Sequence, residues 1–336
     1  MRLDSFLAQQ YPEYSRAILQ KFIAAEYVKI NGKIAKNPAQ NINEIDKIEI
    51  DFPEKQTFEN EIENFTKNVI YEDKNVVVAN KPTGILTHMK GGIQDEFTVA
   101  DFVKSRILAE NKSSKSDNSN EENLNEKQND FSEENNRAGI VHRLDRATSG
   151  VLISAKNPET SSILSRQFQD RKAHKTYLAL TDKTPKISAA RIDLPIARNS
   201  KKPAEFRIDA SGKSAITNYK VLAHFENEKG EDLGALIELK PLTGRTHQLR
   251  VHLSYIDAPI SGDIIYNEKA AKKFTKNNNL RMFLHAAKLE ITIPKIDNEM
   301  ENQRKTFSAK LPNDFLEEIK NRDKNFDFTL IQDFVK

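Results

Sequence analysis

The chain has 336 residues, and 52 lysines and arginines against 49 acidic residues give it a formal net charge of +3. Only 38% of the residues are apolar, and no run of about 18 apolar residues occurs, which excludes an integral membrane protein. The absence of cysteine excludes disulfide scaffolds, thiolate nucleophiles and cysteine-ligated metal centres. The N-terminal sequence MRLDSFL contains an acid and starts no apolar signal-peptide core, so we expect a cytoplasmic protein.

The first 51 residues predict a small α/β module. Ser15 is a suitable N-cap for a helix that follows it, because apolar residues then recur at helical spacing. Residues 27–30 alternate as a strand does, and Asn31-Gly32 predicts a tight hairpin turn into a return strand from Lys33. A last strand is predicted by three isoleucines, Ile45, Ile48 and Ile50.

The polar faces of this module are basic. In the predicted layout they carry Arg2, Arg16, Lys21, Lys29 and Lys33. Such residues form either a solvated rim of an ordinary domain or a surface that binds the phosphates of RNA. Composition alone does not decide between these two interpretations.

Residues 52–68 are acidic and weakly periodic, so they are predicted to be a linker, and residues 69–336 to form one large domain. An insertion at residues 111–136 interrupts that domain. Its only apolar residues are Leu124 and Phe131, so it cannot bury enough surface to offset its ordering entropy, and we expect it to be disordered. Because the insertion is acidic, the remainder of the chain is more basic than the whole, which favours a polyanionic partner.

A loop around Asp145 is the most informative stretch. It lies between two apolar, strand-like pieces and places one carboxylate between Arg143 and Arg146. One interpretation is a turn in which the aspartate bonds its own backbone. The other is a carboxylate kept ionised by neighbouring guanidinium groups and used as a nucleophile or base.

A second stretch, residues 241–252, combines a Thr-Gly turn with a helical pattern that places His247 and Arg250 on one face. Its arginines, histidines and Gln248 suit contacts to phosphates and base edges, although a basic surface helix has the same pattern. Upstream, residues 168–180 predict a helix end that leads into a strand carrying Tyr177, a position where packing is more common than chemistry.

No motif indicates a metal or a nucleotide cofactor. Gly212-Lys213-Ser214 looks like the end of a phosphate loop, but Arg207 occupies the position where that motif needs a glycine. His247 and His252 are five residues apart, which is the wrong spacing for two metal ligands on one helical face. We therefore expect no cofactor and no metal.

Taken together, the motifs resemble those of the RluA-type pseudouridine synthases. They are Asn80-Lys81-Pro82-x-Gly84, His142-Arg143-Leu144-Asp145, Lys175-x-Tyr177, Thr243-Gly244-Arg245-Thr246-His247-Gln248, Pro259-Ile260-x-Gly262-Asp263 and Leu284-His285. Residues after Asp145 and before His285 are most like the C-type members that act on large-subunit ribosomal RNA, with the D-type second. In the N-terminal module, Arg2-Leu3-Asp4, Ser15-Arg16 and Asn31-Gly32-Lys33 resemble the RNA-binding module first described in a small-subunit ribosomal protein.

The resemblance implies an α+β fold, with a core of mixed, mainly antiparallel β-sheet, flanking helices and a central RNA cleft, plus the small N-terminal α/β module. It implies isomerisation of uridine to pseudouridine without a cofactor. Asp145 would be the nucleophile, Arg250 would pair with it, and Tyr177 would pack on the flipped base. Arg143 would fill the gap that the base leaves in the stack.

The resemblance also implies RNA, most simply large-subunit ribosomal RNA, as the partner, and we expect a cytoplasmic monomer. The residues expected to bind it are Arg2, Arg16, Lys21, Lys33, Arg245 and His247. Two alternatives remain open: a non-catalytic RNA-binding protein of the translation machinery, and a hydrolase in which Asp145 acts with His142 or His247. Isomerisation leaves the base attached to the RNA, whereas a hydrolase would release free uracil.

Overall fold

The computed structural model describes residues 1–12, 14–52, 57–89, 96–114, 138–274, 281–295 and 301–335. Contacts group the chain into two units, Met1–Phe65 with His88–Ala138, and Thr66–Thr87 with Gly139–Lys336. The domain boundaries at residues 51 and 69 stay predictions. Within the described ranges, no helix combines the length and apolar character needed to cross a bilayer.

The first unit contains four helices and three short strands among its described residues. They are α1 (Leu3–Gln10), α2 (Arg16–Ala24), β1 (Val28–Ile30), β2 (Lys33–Ile34), β3 (Ile48–Ile50), α3 (Glu59–Thr66) and α4 (Val99–Ser114). The strands form an antiparallel sheet in the order β2-β1-β3. Helix α3 occupies much of the predicted linker. Helix α4 runs to Ser114, so the first four residues of the insertion are helical, contrary to the prediction, and the rest of it lies outside the described residues.

Two local predictions in this unit are confirmed and one is wrong. The Ser15 hydroxyl accepts a hydrogen bond from the Ile18 N–H and caps α2, and the turn at Asn31-Gly32 joins β1 to β2. Ile45 was expected in the last strand but is 92% exposed. The Asp46 carboxylate accepts hydrogen bonds from the Asn43 N–H and the Asn31 amide, both at 2.8 Å, which makes a turn there and delays the strand to Ile48.

The second unit is built on a large sheet. Its strands are β4 (Val69–Glu72), β5 (Val76–Lys81), β6 (Ser149–Ala155), β7 (His174–Leu180), β8 (Ala189–Asp193), β9 (Ile196–Arg198), β10 (Phe206–Ile208), β11 (Ile216–Glu226), β12 (Asp232–Pro241), β13 (Leu284–Ile293) and β14 (Gln303–Ser308). The helices are α5 (Pro158–Gln169), α6 (Gln248–Tyr255), α7 (Glu268–Phe274), α8 (Asn313–Arg322) and a 3₁₀ helix (Phe328–Phe334).

Nine of these strands form one sheet in the order β4-β5-β6-β13-β7-β12-β11-β8, with β14 also paired to β13. Only β6 and β13 run parallel among the described pairs, so the sheet is mixed and mainly antiparallel, as predicted. Alternation along β7 sends Leu178 and Leu180 into the core beneath α8 and Ala179 into the core beneath α6. Both faces are therefore covered by helices, and the α+β prediction is confirmed.

The parallel pair depends on a glycine. Gly150 lies opposite Ala286 with φ of +118°, and a Cβ at this position would stand 2.2 Å from the Ala286 carbonyl oxygen. Beside it, the Ser149 hydroxyl accepts a hydrogen bond from Arg281 and is 2.9 Å from His285 Nδ1. Because His285 Nε2 donates to the Ala309 carbonyl at 3.2 Å, its Nδ1 accepts from the Ser149 hydroxyl. This junction fixes where β6 begins and where the loop before it ends.

Candidate active site

The Asp145 loop, residues 140–148, leads into β6. Of its predicted upstream strand only an isolated bridge from Ile140 to Ser154 forms, so that prediction is wrong. The turn is closed by the backbone, since the Thr148 N–H donates to the Asp145 carbonyl at 3.0 Å. The Asp145 side chain is therefore not used to make the turn.

The segment after β5 holds this loop in place. The buried Lys81 ammonium donates to the carbonyls of Pro82 and Ile85 at 2.8 Å and of Arg146 at 3.3 Å. The Thr87 hydroxyl donates to the Leu144 carbonyl at 2.8 Å. Burial lowers the pKa of Lys81 to about 7, although the charge of Asp145 opposes this. The Asn-Lys-Pro-x-Gly motif, which has little meaning alone, thus supports the backbone around Asp145.

Arg250, from the second motif, is the arginine that contacts Asp145. Its Nη1 donates to Asp145 Oδ2 at 3.3 Å, while its Nε and Nη2 donate to Asp263 at 2.7 and 2.8 Å. Arg250 and Asp263 are buried, whereas the Asp145 side chain is 21% exposed. Burial lowers the pKa of Arg250, but the hydrogen bonds and charge of Asp263 outweigh it, so the pKa lies above its usual value.

The two arginines next to Asp145 in sequence are not the ones that the structure pairs with its carboxylate. Arg143 and Arg146 are both exposed, and Arg146 Nη1 donates to the Gly84 carbonyl at 3.4 Å. The ion pair that the structure gives Asp145 with an arginine comes from Arg250, 105 residues away in sequence. The second stretch is also not a surface helix, because the first turns of α6 are buried from Gln248 to Leu253.

The turn before α6 is organised by Gln248. Its side-chain oxygen accepts from the Thr243 hydroxyl at 2.7 Å and from the Arg245 N–H at 3.0 Å. Its amide donates to the Ile216 carbonyl at 3.0 Å. His247 then adopts a left-handed conformation, with φ of 56°, and begins the helix. The result is that His247 and Arg250 both approach Asp145.

His247 lies between Asp145 and Tyr266. Its Nε2 is 3.9 Å from Asp145 Oδ2, and its Nδ1 is 2.8 Å from the hydroxyl of Tyr266. The Tyr266 ring lies 5.0 Å from the guanidinium carbon of Arg250, within the range of a cation–π contact. Burial raises the pKa of Tyr266 to about 12, so its hydroxyl stays protonated at neutral pH.

His142 and Lys175 lie together on another side of the site. His142 Nε2 accepts the Ile153 N–H at 3.1 Å, and its ring stacks on Phe168. Burial, together with the charge of Lys175, lowers the pKa of His142 to about 3, so the imidazole is neutral and structural. Burial also lowers the pKa of Lys175 to about 8. On the same strand, Tyr177 has its pKa raised by burial and by the charge of Asp145.

These residues surround a cavity of about 480 Å³. Among its lining residues five are cationic: Arg143, Arg171, Lys175, Arg245 and Arg250. Among the described residues of the lining Asp145 is the single acid, and Tyr177, Leu249 and Leu284 supply aromatic and apolar surface. A polyanion that brings a planar group to Asp145 fits this lining. No cluster of three metal-ligating acids or histidines occurs among the described residues.

The N-terminal residues expected to bind RNA lie in the first unit. Arg2 and Arg16 both donate to the fully buried Asp4, with Nη2 of each 2.9 Å from a carboxylate oxygen, and each keeps 48% of its side chain exposed. The hydrogen bond from Arg2 is the main reason that the pKa of Asp4 lies well below its usual range. Lys21 and Lys33 are exposed. Asp4 thus holds two guanidinium groups close together at the surface.

Sequence reasoning missed the role of three site residues: Asp263, Tyr266 and Lys81. Asp263 was visible as an acid after a Pro-Ile-x-Gly turn, but nothing in its spacing says that it contacts Arg250. All the catalytic and supporting residues singled out in the second unit do line the one cavity: Asp145, Arg143, Tyr177, Arg250, Arg245 and His247.

Comparison with known proteins agrees with this geometry. The sequence profile of RNA pseudouridylate synthase matches residues 75–255, and that of the S4 domain matches residues 1–48. Ribosomal large subunit pseudouridine synthase D of Borreliella burgdorferi is 35% identical, over 99% of this chain and 93% of that protein. The protein of the same name from Haemophilus influenzae is 31% identical, over 94% of this chain and 89% of that protein.

A solved structure shows the same fold. Human RNA pseudouridylate synthase domain containing 4 superposes with a TM-score of 0.53 at 25% identity, over 79% of this chain and 96% of that one. The profile match spans more than half of the present chain, and the relatives match nearly all of it. The chain therefore belongs to the RNA pseudouridylate synthase family, whose members are isomerases, and carries an S4 RNA-binding domain ahead of the synthase domain.

Proposed function

We propose that this isomerase acts on uridines of large-subunit ribosomal RNA, with Asp145 as its nucleophile and without a cofactor. One observation carries the proposal: Asp145 is the single acid among the described residues of a cationic cavity, and a buried arginine holds one of its two oxygens. The large-subunit substrate is supported by the names of the bacterial relatives. We further propose that the protein works as a cytoplasmic monomer.

The reaction is balanced within the substrate. Asp145 forms a bond with the substrate and the bond between ribose C1′ and uracil N1 breaks; the base turns in the cavity, a bond forms between C1′ and C5, and the bond to Asp145 breaks again, so that the carboxylate is regenerated. C5 loses its hydrogen as a proton and N1 gains one, so that no oxidant or reductant is consumed. Asp145 Oδ2 faces Arg250 and His247, whereas Oδ1 accepts no hydrogen bond from the described residues and is available to attack.

Tyr177 would hold the uracil while it is detached. Its backbone is fixed in the sheet between β12 and β13, opposite Leu239 and Ala286, so its ring has a defined place in the cavity wall. Because its pKa is raised, the hydroxyl stays protonated near neutral pH and can donate a hydrogen bond to a uracil carbonyl. The ring itself offers a stacking surface for the base.

A target uridine within structured RNA must be extruded to reach Asp145, at a cost of a few kcal/mol for unstacking. Arg143 lines the cavity and is exposed, so its guanidinium can occupy the space that the base leaves. Arg245 and His247 lie on the turn before α6 and would contact the neighbouring backbone. In the S4 domain, Arg2, Arg16, Lys21 and Lys33 would supply further phosphate contacts and add affinity.

Of the two alternatives, the hydrolase is disfavoured by His142. Its Nε2 accepts the Ile153 N–H, and its lowered pKa of about 3 makes it a poor base for activating water. His247 is 3.9 Å from Asp145, on the same oxygen that Arg250 holds. A purely RNA-binding protein would have no use for the carboxylate in this cationic cavity, where it opposes phosphate binding.

The test measures tritium released from RNA labelled at uridine C5, using unmodified, protein-free large-subunit ribosomal RNA. Asp145→Asn keeps the size of the side chain but removes the nucleophilic charge, so turnover should vanish while RNA affinity is retained. Arg250→Lys keeps the charge but loses the planar fork, and turnover should fall about tenfold or more. The matched control is Asp257→Asn, a carboxylate that is 71% exposed and paired with Lys183.

Wild-type turnover by Asp145→Asn would refute the nucleophile assignment. Free uracil among the wild-type products would favour the hydrolase instead. Turnover on other RNA with none on large-subunit ribosomal RNA would refute the proposed substrate.

A further inference from the structure

Arg250 lies between two carboxylates that it binds unequally. To Asp263 it makes a two-pronged contact, from Nε at 2.7 Å and from Nη2 at 2.8 Å. To Asp145 it makes a single contact from Nη1 at 3.3 Å. Paired, charge-assisted bonds of this kind fix the plane of a guanidinium group, whereas one long bond does not. The orientation of Arg250 is therefore set by Asp263 and not by Asp145.

Asp263 is itself firmly held. Its side chain is fully buried, and its Oδ1 also accepts hydrogen bonds from the backbone N–H groups of Ile265 at 3.0 Å and Tyr266 at 3.2 Å. The preceding Gly262 brings this turn against the Arg281 carbonyl, where a Cβ would stand at 1.7 Å. The carboxylate is thus fixed by backbone contacts as well as by the arginine.

This division of contacts matters for Asp145. A guanidinium free to turn would bind Asp145 through two parallel hydrogen bonds, since this is the favoured geometry for arginine and a carboxylate. Both Asp145 oxygens would then be occupied. In the orientation that Asp263 fixes through Nε and Nη2, Nη1 is the donor that lies within hydrogen-bond distance of Asp145, and it donates to Oδ2. Asp263 also offsets the arginine charge, which limits how strongly Asp145 is held.

We propose that Asp263 is a positioning residue of the isomerisation: it turns Arg250 so that only Nη1 reaches Asp145, and thereby leaves Asp145 Oδ1 available to react. This inference rests on the proposed role of Asp145 as nucleophile. Asp263 does not touch substrate; its whole effect passes through the guanidinium group.

The first experiment measures kcat and KM of Asp263→Asn in the tritium-release assay. Asparagine has the same size and keeps the acceptor for the Ile265 and Tyr266 N–H groups, but it loses the charge and one acceptor for Arg250. We expect kcat to fall at least tenfold while KM for RNA stays within threefold. Asp182→Asn is the control, since Asp182 is a largely buried carboxylate that accepts from Ser261 and Asn267 and is paired with Arg322. Its kcat should stay within twofold of wild type.

The second experiment adds Asp263→Asn to Arg250→Lys. In Asp263→Asn the buried guanidinium of Arg250 loses the carboxylate that balances its charge, which can prevent folding. A buried lysine can lose its proton instead, so the double variant can be measured even when Asp263→Asn alone does not fold. If Asp263 acts through the guanidinium fork, which lysine lacks, the double variant should have the kcat of Arg250→Lys within threefold. A purely structural role would lower kcat further, because losses from independent sites add.

The outcomes separate this inference from the proposed function. A normal kcat for folded Asp263→Asn, or a double variant more than tenfold below Arg250→Lys, overturns the positioning role while Asp145→Asn remains inactive. Turnover by Asp145→Asn overturns the proposed function itself. A loss of kcat in Asp263→Asn without further loss in the double variant supports the inference.

Discussion

Replacing Gly150 with alanine should destabilise the synthase domain by an amount that the geometry sets. Gly150 has φ of +118°, and a Cβ there would meet the Ala286 carbonyl oxygen at 2.2 Å and the Ala286 nitrogen at 2.5 Å. The neighbouring atoms belong to the backbone of β13 and cannot turn away as a side chain would. The parallel strands must therefore separate by about an ångström where the Asp145 loop enters the sheet.

The expected cost has two parts. An alanine at positive φ costs about 1–2 kcal/mol, and forcing extra volume into a packed site costs typically about 1–3 kcal/mol. The lower backbone entropy of the unfolded alanine chain returns about 0.4–1 kcal/mol. We expect Gly150→Ala to lower the free energy of unfolding by roughly 1–5 kcal/mol, centred near 3 kcal/mol.

Gly230→Ala is the matched control, because Gly230 has φ of +75° but no atom within 4 Å of its would-be Cβ. At this φ an alanine costs about 1–2 kcal/mol, of which the unfolded chain returns about 0.4–1 kcal/mol, and there is no clash, so the loss should be at most about 1.6 kcal/mol. Urea unfolding followed by circular dichroism compares the two variants. Equal losses, within about 0.5 kcal/mol, would show that the contact with Ala286 does not govern stability, and would refute the reasoning.

Three further predictions concern RNA affinity, pH and the insertion. Changing Arg16 and Lys21 together to glutamate should raise the Kd for ribosomal RNA and flatten its dependence on salt, while kcat at saturating RNA stays within twofold; a collapse of kcat would contradict a role confined to affinity. Burial lowers the pKa of His285 to about 4, below its value in the unfolded chain. The unfolded chain therefore binds more protons between pH 4 and pH 6.5, and the free energy of unfolding falls as the pH drops through this range. In urea unfolding, His285→Gln should remove about 2 kcal/mol of the stability loss between pH 7 and pH 5. Deleting residues 115–136 should change the apparent Tm by less than about 2 °C, and a larger fall would mean that the insertion packs on the core.

Sequence reasoning succeeded where the determining contacts are local. The cap at Ser15 and the turn at Asn31-Gly32 involve residues within four positions of each other, and the apolar run of β5 reflects burial on both faces. It failed at Ile45, because an apolar residue was taken as a strand residue although the Asp46 side chain closes a turn there. An apolar side chain does not report the hydrogen bonds of its neighbour.

The candidate site shows the same limit over a longer range. The motif pattern identified Asp145 and Arg250, and the family resemblance predicted that the two side chains pair. The flanking Arg143 and Arg146 were the obvious cations by proximity in sequence, yet the structure pairs Asp145 with an arginine 105 residues away. The bidentate contact of Arg250 with Asp263 is a matter of distance and angle between two turns, for which the sequence offers no measure.

The parallel pairing of β6 with β13 bears on the order in which the site can assemble during synthesis. The Arg250–Asp263 pair spans 13 residues and can close soon after that stretch leaves the ribosome. The Ser149–His285 contact spans 136 residues, and β6 gains its partner at Gly150 only when β13 has emerged. Until then the Asp145 loop has no sheet neighbour on that side. A nascent chain that ends before residue 284 should therefore have a formed Arg250–Asp263 pair but no positioned nucleophile. Modification activity should then appear only late in translation.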